Sequence, residues 1–122
     1  MSTATSFDLD AVISAIEADD PARQADAYAS DVVLEIHNRD HGPADPLVVS
    51  GREAVRALLD DVATRNLEHR VLRAVTDGRT GALQVLCRYP DGTRVTCSNA
   101  FDVRDGLIAR ETRLEVWDVT DE

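Results

Sequence analysis

The chain changes its hydrophobic rhythm about halfway along. Phe7, Leu9, Val12, Ile13 and Ile16 recur at helical spacing and give one apolar face. Ser6 is suited to the N-cap, and Asp8 and Asp10 favour the positive end of a helix starting at Phe7. Asp20-Pro21 sets a capping side chain before a proline at the first helical position, which predicts a second helix ending near Tyr28. Residues 32–37 are rich in β-branched side chains and read as a strand. Gly42, Pro43 and Pro46 make 38–46 a loop. Ser50-Gly51-Arg52-Glu53 reads as a capping box, the Ser oxygen taking one orphan N–H and the Glu another, and it opens a third helix to about Arg65. Beyond it the rhythm becomes alternating, with strands at roughly 68–76, 80–89, 93–103 and 107–117. Helices followed by a meander of strands predict an α+β domain.

The turns set which side chains face inward. Pro90-Asp91-Gly92 suits a three-residue loop and pairs Tyr89 with Thr93, so Cys87 stands opposite Val95 and Cys97 opposite Val85. Val95, Cys97, Asn99, Phe101 and Val103 form the more apolar face, hence the interior. Asp105-Gly106 is a two-residue turn that pairs Arg104 with Leu107. An unbroken ladder from that turn sends Ile108, Arg110, Thr112, Leu114 and Val116 inward. The alternative register sends Glu111, Arg113 and Glu115 inward, and three core charges would each need a partner. The first register is preferred for that reason.

Composition narrows the partners. The formal net charge of the 122 residues is −10, from 23 acids against 13 bases, which disfavours nucleic acid and anionic membrane surfaces. Every base is Arg, pointing to a GC-rich, bacterial genome. Neither a signal peptide nor an apolar run of about 20 residues is visible, so a soluble, cytoplasmic protein is expected. Cys87 and Cys97, diagonal on neighbouring strands at roughly 7–8 Å, are expected to stay reduced and fill the core.

Tyr28-Ala29-Ser30-Asp31-Val32-Val33-Leu34-Glu35-Ile36-His37, followed by Ser50-Gly51-Arg52-Glu53-Ala54-Val55-Arg56-Ala57-Leu58-Leu59, resembles the nuclear transport factor 2-like superfamily, in particular its SnoaL-like branch. The resemblance spans about residues 7–118 of a single domain covering 1–122. It implies a cone-shaped, strongly curved sheet with three N-terminal helices over its hollow, and one small-molecule pocket. It also implies a homodimer through the outer sheet face, where Glu35, His37, Glu111, Arg113, Glu115 and Trp117 are expected, with Trp117 at or beside the interface. No cofactor is implied.

Ketosteroid isomerases of the superfamily use an Asp base, with a Tyr and a protonated Asp holding the oxyanion. Aligned on Ala15-Ile16-Glu17-Ala18-Asp19-Asp20 and Tyr28-Ala29-Ser30-Asp31, this chain puts Ile36 at the base, Val12 at the Tyr and Asn99 at the oxyanion Asp. Polyketide cyclases of the branch use an inward acid, and limonene epoxide hydrolases an Asp-Arg-Asp set that activates water. The preferred register offers only Arg110, whereas the alternative offers Glu111-x-Arg113-x-Glu115. The expected pocket wall is therefore Val12, Tyr28, Leu34, Ile36, Asn38, Cys87, Cys97, Asn99, Phe101, Arg110 and Thr112. Arg110, Asn99 and His69 are the catalytic candidates. Against that stands a plainer account, with Arg110 snorkelling to the rim while Asn99 and Thr112 satisfy each other. His37 and His41, four apart at a strand end, would converge on a metal only in a helix, so no metal site is expected. A binder of a small apolar molecule is the leading expectation. A hydrolase, isomerase or cyclase for a small cyclic hydrophobic substrate, and a dimeric module with a filled cone, are the alternatives.

Overall fold

The computed structural model describes residues 6–119. Three helices, α1 (Leu9–Glu17), α2 (Pro21–Ala25) and α3 (Arg52–Ala63), accompany six strands. The strands are β1 (Tyr28–His37), β2 (Leu47–Ser50), β3 (Glu68–Thr76), β4 (Thr80–Arg88), β5 (Arg94–Arg104) and β6 (Leu107–Trp117). They form one mixed sheet in the order β2-β1-β6-β5-β4-β3, parallel only between β1 and β6. The α+β class and the four-strand meander are as the alternation predicts.

Local signals were obeyed where nothing competed with them. Asp20 caps α2 through a bond from Arg23 N to its Oδ1 (3.2 Å), with Pro21 at the first helical position. That helix stops at Ala25, and Tyr28 opens β1 instead of closing a helix. At α1 the cap is Asp8, not Ser6, because the Asp8 carboxylate accepts from Ala11 N at 3.0 Å. The capping box at Ser50 does not form. Ser50 is held in β2, opposite Val33, and Gly51 (φ +90°) is the N-cap without a side-chain bond. Pairing with β1 competes for the same residue and wins.

The core lies between the helices and the inner sheet face, around Val32, Leu34, Val55 and Ile108, which are nearly inaccessible to solvent. Phe101 stacks on Phe7 with ring centroids 5.3 Å apart, over Gly81, where a Cβ would overlap the Phe101 ring.

Both predicted hairpin turns form. Tyr89 N bonds Thr93 O at 2.8 Å, Cys87 faces Val95 and Cys97 faces Val85, so the two free thiols are diagonal neighbours. Arg104 pairs with Leu107 across Asp105 (φ +53°) and Gly106 (φ +78°), the positive angles a tight two-residue hairpin demands. The ladder then breaks. Val103 pairs with Ile108 but Asp102 with Arg110, so Ala109 is a bulge. One extra residue reverses every later side chain. Glu111, Arg113, Glu115 and Trp117 turn inward, and Arg110, Leu114 and Val116 are exposed. The preferred inward set of β6 is thus overturned beyond Ile108, although the turn from which it was derived is correct.

Candidate functional site

The inner face encloses a cavity of about 110 Å³ between α1, α3 and strands β3 to β6. Its deep end is built on β6. Glu111, only 2% exposed, receives three bonds: from Tyr28 Oη to Oε1 (2.6 Å), and from Asn99 Nδ2 (2.8 Å) and Arg113 Nη2 (3.1 Å) to Oε2. The Asn99 amide is oriented by this contact, since its NH₂ and not its oxygen must face the carboxylate. Tyr28 is fixed from behind, its carbonyl accepting from Arg52 Nε (2.8 Å), and Ile108 N bonds Ala27 O (2.8 Å).

Burial raises the Tyr28 phenol well above its ordinary value and the Glu111 carboxylate adds to the rise, so it keeps its proton. Burial works against the Arg113 charge, but Glu111, with Tyr28, Cys97 and Glu115 behind it, outweighs that and holds the guanidinium above its ordinary value. Two buried atoms of the cluster lack a partner among the described residues: Asn99 Oδ1, an acceptor, and Arg113 Nε, a donor. Such orphans are uncommon in folded proteins and carry a cost unless something meets them.

The other end of the cavity is more exposed. Trp117 lies against Tyr89 (5.6 Å between centroids), beneath the Arg39 guanidinium (4.3 Å), with its Nε1 3.4 Å from Glu115 Oε1. There too is His69, opposite Cys87 across the β3–β4 ladder. His69 Nδ1 is 3.3 Å from Cys87 Sγ and Nε2 is 3.1 Å from Asp19 Oδ1. Burial disfavours the imidazolium, but Cys87 and Asp19 outweigh it and raise the His69 pKa. Cys87 is lowered, first by the Cys97 thiol, then by His69 and Arg113 against the opposing effect of burial. Cys97 is raised, by Cys87 and by burial.

Of the expected wall, Val12, Tyr28, Cys87, Cys97 and Asn99 line the cavity, and so does His69. Leu34 and Ile36 are packed core, and Phe101 is spent on Phe7. Asn38 serves its own turn, its Oδ1 accepting from Asp40 N (3.0 Å) and His41 N (2.9 Å). Arg110 and Thr112 lie in a groove on the outer face, away from the cavity, because the Ala109 bulge rotates them there. Glu111, Arg113, Glu115 and Trp117 were expected outside and are inside. Of the residues expected on the outer face, Glu35 and His37 stay there, 3.9 Å from each other. The site that sequence reasoning set aside is the one present. Its signal was the Glu-x-Arg-x-Glu line itself, whose charges pair with one another and with Tyr28 and Asn99. The cavity also removes the support a filled cone would have given to a purely structural module.

The SnoaL-like domain profile matches residues 9–111. The chain belongs to the SnoaL-like domain family. Among solved structures it is similar to a candidate ketosteroid isomerase from Kribbella flavida, at 21% identity, with 93% of this chain and 76% of that one covered and a TM-score of 0.73. It is also similar to a candidate polyketide cyclase from Sinorhizobium meliloti (20% identity, 86% and 91% covered, TM-score 0.66). A third is the epoxide hydrolase/cyclase-like enzyme SalBIII of salinomycin pyran ring formation (19%, 89% and 86%, TM-score 0.64). At these identities the likeness establishes the shared cone fold. No curated protein sequence matches the chain. Among the described residues no helix is long and apolar enough to cross a membrane.

Two outcomes test this geometry. Arg113→Ala should destabilise the protein by about 3–5 kcal/mol, since it strands a buried carboxylate, whereas Arg110→Ala should stay within about 0.5 kcal/mol; urea denaturation of both variants measures the difference. His69 should titrate above its ordinary value of about 6.5 by NMR. Because the folded pKa is raised, its contribution to stability is complete below about pH 6.5 and is lost as pH climbs through the folded value, and His69→Gln should remove that slope.

Proposed function

We propose that this SnoaL-like protein is an acid–base enzyme for a small, largely apolar cyclic substrate, with Glu111 as the proton-transferring group. The observation that carries the reading is the pair of orphaned atoms beside Glu111. Arg113 Nε needs an acceptor and Asn99 Oδ1 needs a donor. A hydroxyl or a water offers both at one oxygen. The three donors on Glu111 leave about one of its four lone-pair sites, which takes a water's second proton, or a substrate hydroxyl's single proton in place of Asn99 Oδ1. Glu111 then takes that proton as the oxygen attacks an epoxide carbon and the bond from this carbon to the ring oxygen breaks. The released alkoxide takes the proton back from Glu111, while charged Arg113 stabilises the developing charge and Tyr28 keeps the carboxylate aligned.

Attack by water opens a ring, and attack by the substrate's own hydroxyl closes one. Both chemistries are consistent with the names carried by the structural neighbours. The cavity of about 110 Å³ is somewhat smaller than an engineered cavity of about 150 Å³ that admits benzene, so the reacting part of the substrate is no larger than a single small ring. Epoxides and hydroxy-epoxides of cyclic hydrocarbons fit this description. A non-catalytic binder is the second reading, favoured by how fully Glu111 is already bonded, since a carboxylate with three donors is a weakened base.

The protein is read as cytoplasmic, which the unpaired thiols suit. We assign the dimer to the outer sheet face, where Leu114 and Val116 of β6 are exposed between Val48 on one edge strand and Val75 on the other. Trp117 is not part of it, being turned towards the cavity.

Glu111→Gln should lower turnover of a cyclic epoxide panel by about 10²–10⁴-fold while thermal-shift binding of the same compounds persists. Unchanged turnover would remove Glu111 from the chemistry, and binding without any turnover in the wild type would leave the binder. Leu114→Asp with Val116→Asp should give a monomer in sedimentation velocity; a wild type already monomeric would rule the dimer out.

A further inference from the structure

The exposed end of the cavity carries reactive groups that the Glu111 chemistry does not use. Asp19 Oδ1, His69 and Cys87 Sγ stand in line, at 3.1 Å and 3.3 Å about the two imidazole nitrogens. This is the order in which an acid orients an imidazole and the imidazole activates a thiol. Asp19 follows α1 in a left-handed conformation (φ +51°), which Asp tolerates better than most residues. His69 and Cys87 both line the cavity, so the thiol meets whatever enters it. The groups facing Cys87 are His69 from β3 with Asp19 behind it, Cys97 from β5, and Arg113 from β6, with Glu115 beside Cys97. The neighbours of Cys87 favour its thiolate on balance.

The Cys87 row and the Asn99 row are four residues apart along β4, Leu83 to Cys87, which is about 13 Å. The thiol is therefore not in line with Glu111, and the two centres share only Arg113, which bonds Glu111 and faces the sulfurs. Acyl transfer is a poor fit, because β4 is hydrogen-bonded on both sides and offers no free amide pair to hold an oxyanion. Addition to a conjugated double bond needs only a thiolate, an apolar wall and one proton donor. Val85, Val95, Leu67 and Trp117 supply the wall.

We propose that Cys87 is a nucleophile that captures small, uncharged α,β-unsaturated carbonyl compounds, with His69 as the proton donor and Asp19 as its positioning residue. Sγ bonds to the β-carbon as the π pair of the C=C bond moves through the carbonyl to its oxygen. The proton on His69 Nδ1 passes to the α-carbon as the enolate collapses, leaving a neutral imidazole and a thioether. No external oxidant or reductant takes part, and the reverse elimination restores the thiolate–imidazolium pair.

The test follows N-ethylmaleimide addition to the folded protein by intact mass and peptide mapping, in the wild type, Cys97→Ser and His69→Gln. At about pH 6, Cys87 should take the first adduct at least about tenfold faster than free glutathione. His69→Gln should lose about tenfold or more of that rate at about pH 6 and little at about pH 9, where any thiol ionises. First modification at Cys97, or an equal rate in His69→Gln at the lower pH, would overturn the proposal. If His69→Gln fails to fold, the wild-type profile decides: a rate nearly flat from about pH 6 to 9 supports it, and one rising along an ordinary thiol titration overturns it. No turnover by Glu111 enters these readings, so either centre can fail while the other stands.

Discussion

A carboxylate taken out of water must be met by donors or protonated, and much of this molecule is arranged around how Glu111 is met. Its partners come from three strands: the phenol that opens β1, the amide in the middle of β5 and the guanidinium two residues along β6. Breaking such a pair by removing one member costs about 3–5 kcal/mol, a large part of a small domain's stability. The requirement therefore constrains β6 more tightly than hydrophobicity does. It tolerates Leu114 and Val116 in solvent so that Glu111 and Arg113 can sit inside.

That inversion explains what was legible and what was not. The Asp20-Pro21 cap, the two hairpin turns and the diagonal relation of the cysteines rest on local chemistry, and each appears where the residues place it. The inward face of β6 is not local. Deriving it from Asp105-Gly106 assumes an unbroken ladder, and Ala109 bears no mark that it will bulge. The rule that charges avoid a core also pointed the wrong way, since it holds for single charges and here the charges arrive with their partners. Trp117 followed the same register outward in expectation and inward in fact. The Ser50 capping box failed for a related reason: its first residue had a second use as the end of a strand, which helix signals alone do not reveal. The inward face of His69 is likewise set by its neighbour Cys87 on β4 and not by anything in its own stretch of sequence.

The cavity joins two kinds of chemistry with a physical division between them. Its deep end is hard: oxygen and nitrogen donors, fixed charges and almost no solvent. Its outer end is soft, with two sulfurs, an imidazole and aromatic rings. The first end suits oxygen atoms and the second polarisable carbons. The family likeness fixes the shape of the vessel, and these side chains decide what it holds.

The parallel pairing of β1 with β6 has a kinetic consequence. The strands that carry Tyr28 and Glu111 are neighbours in the sheet but lie at opposite ends of the chain, 83 residues apart at that bond. Hairpins β3–β4, β4–β5 and β5–β6 can zip locally, whereas the seam beside β1 must close a long loop before it gains anything. The Glu111 cluster is made at that seam, so it comes into being only when the two ends of the chain have found each other.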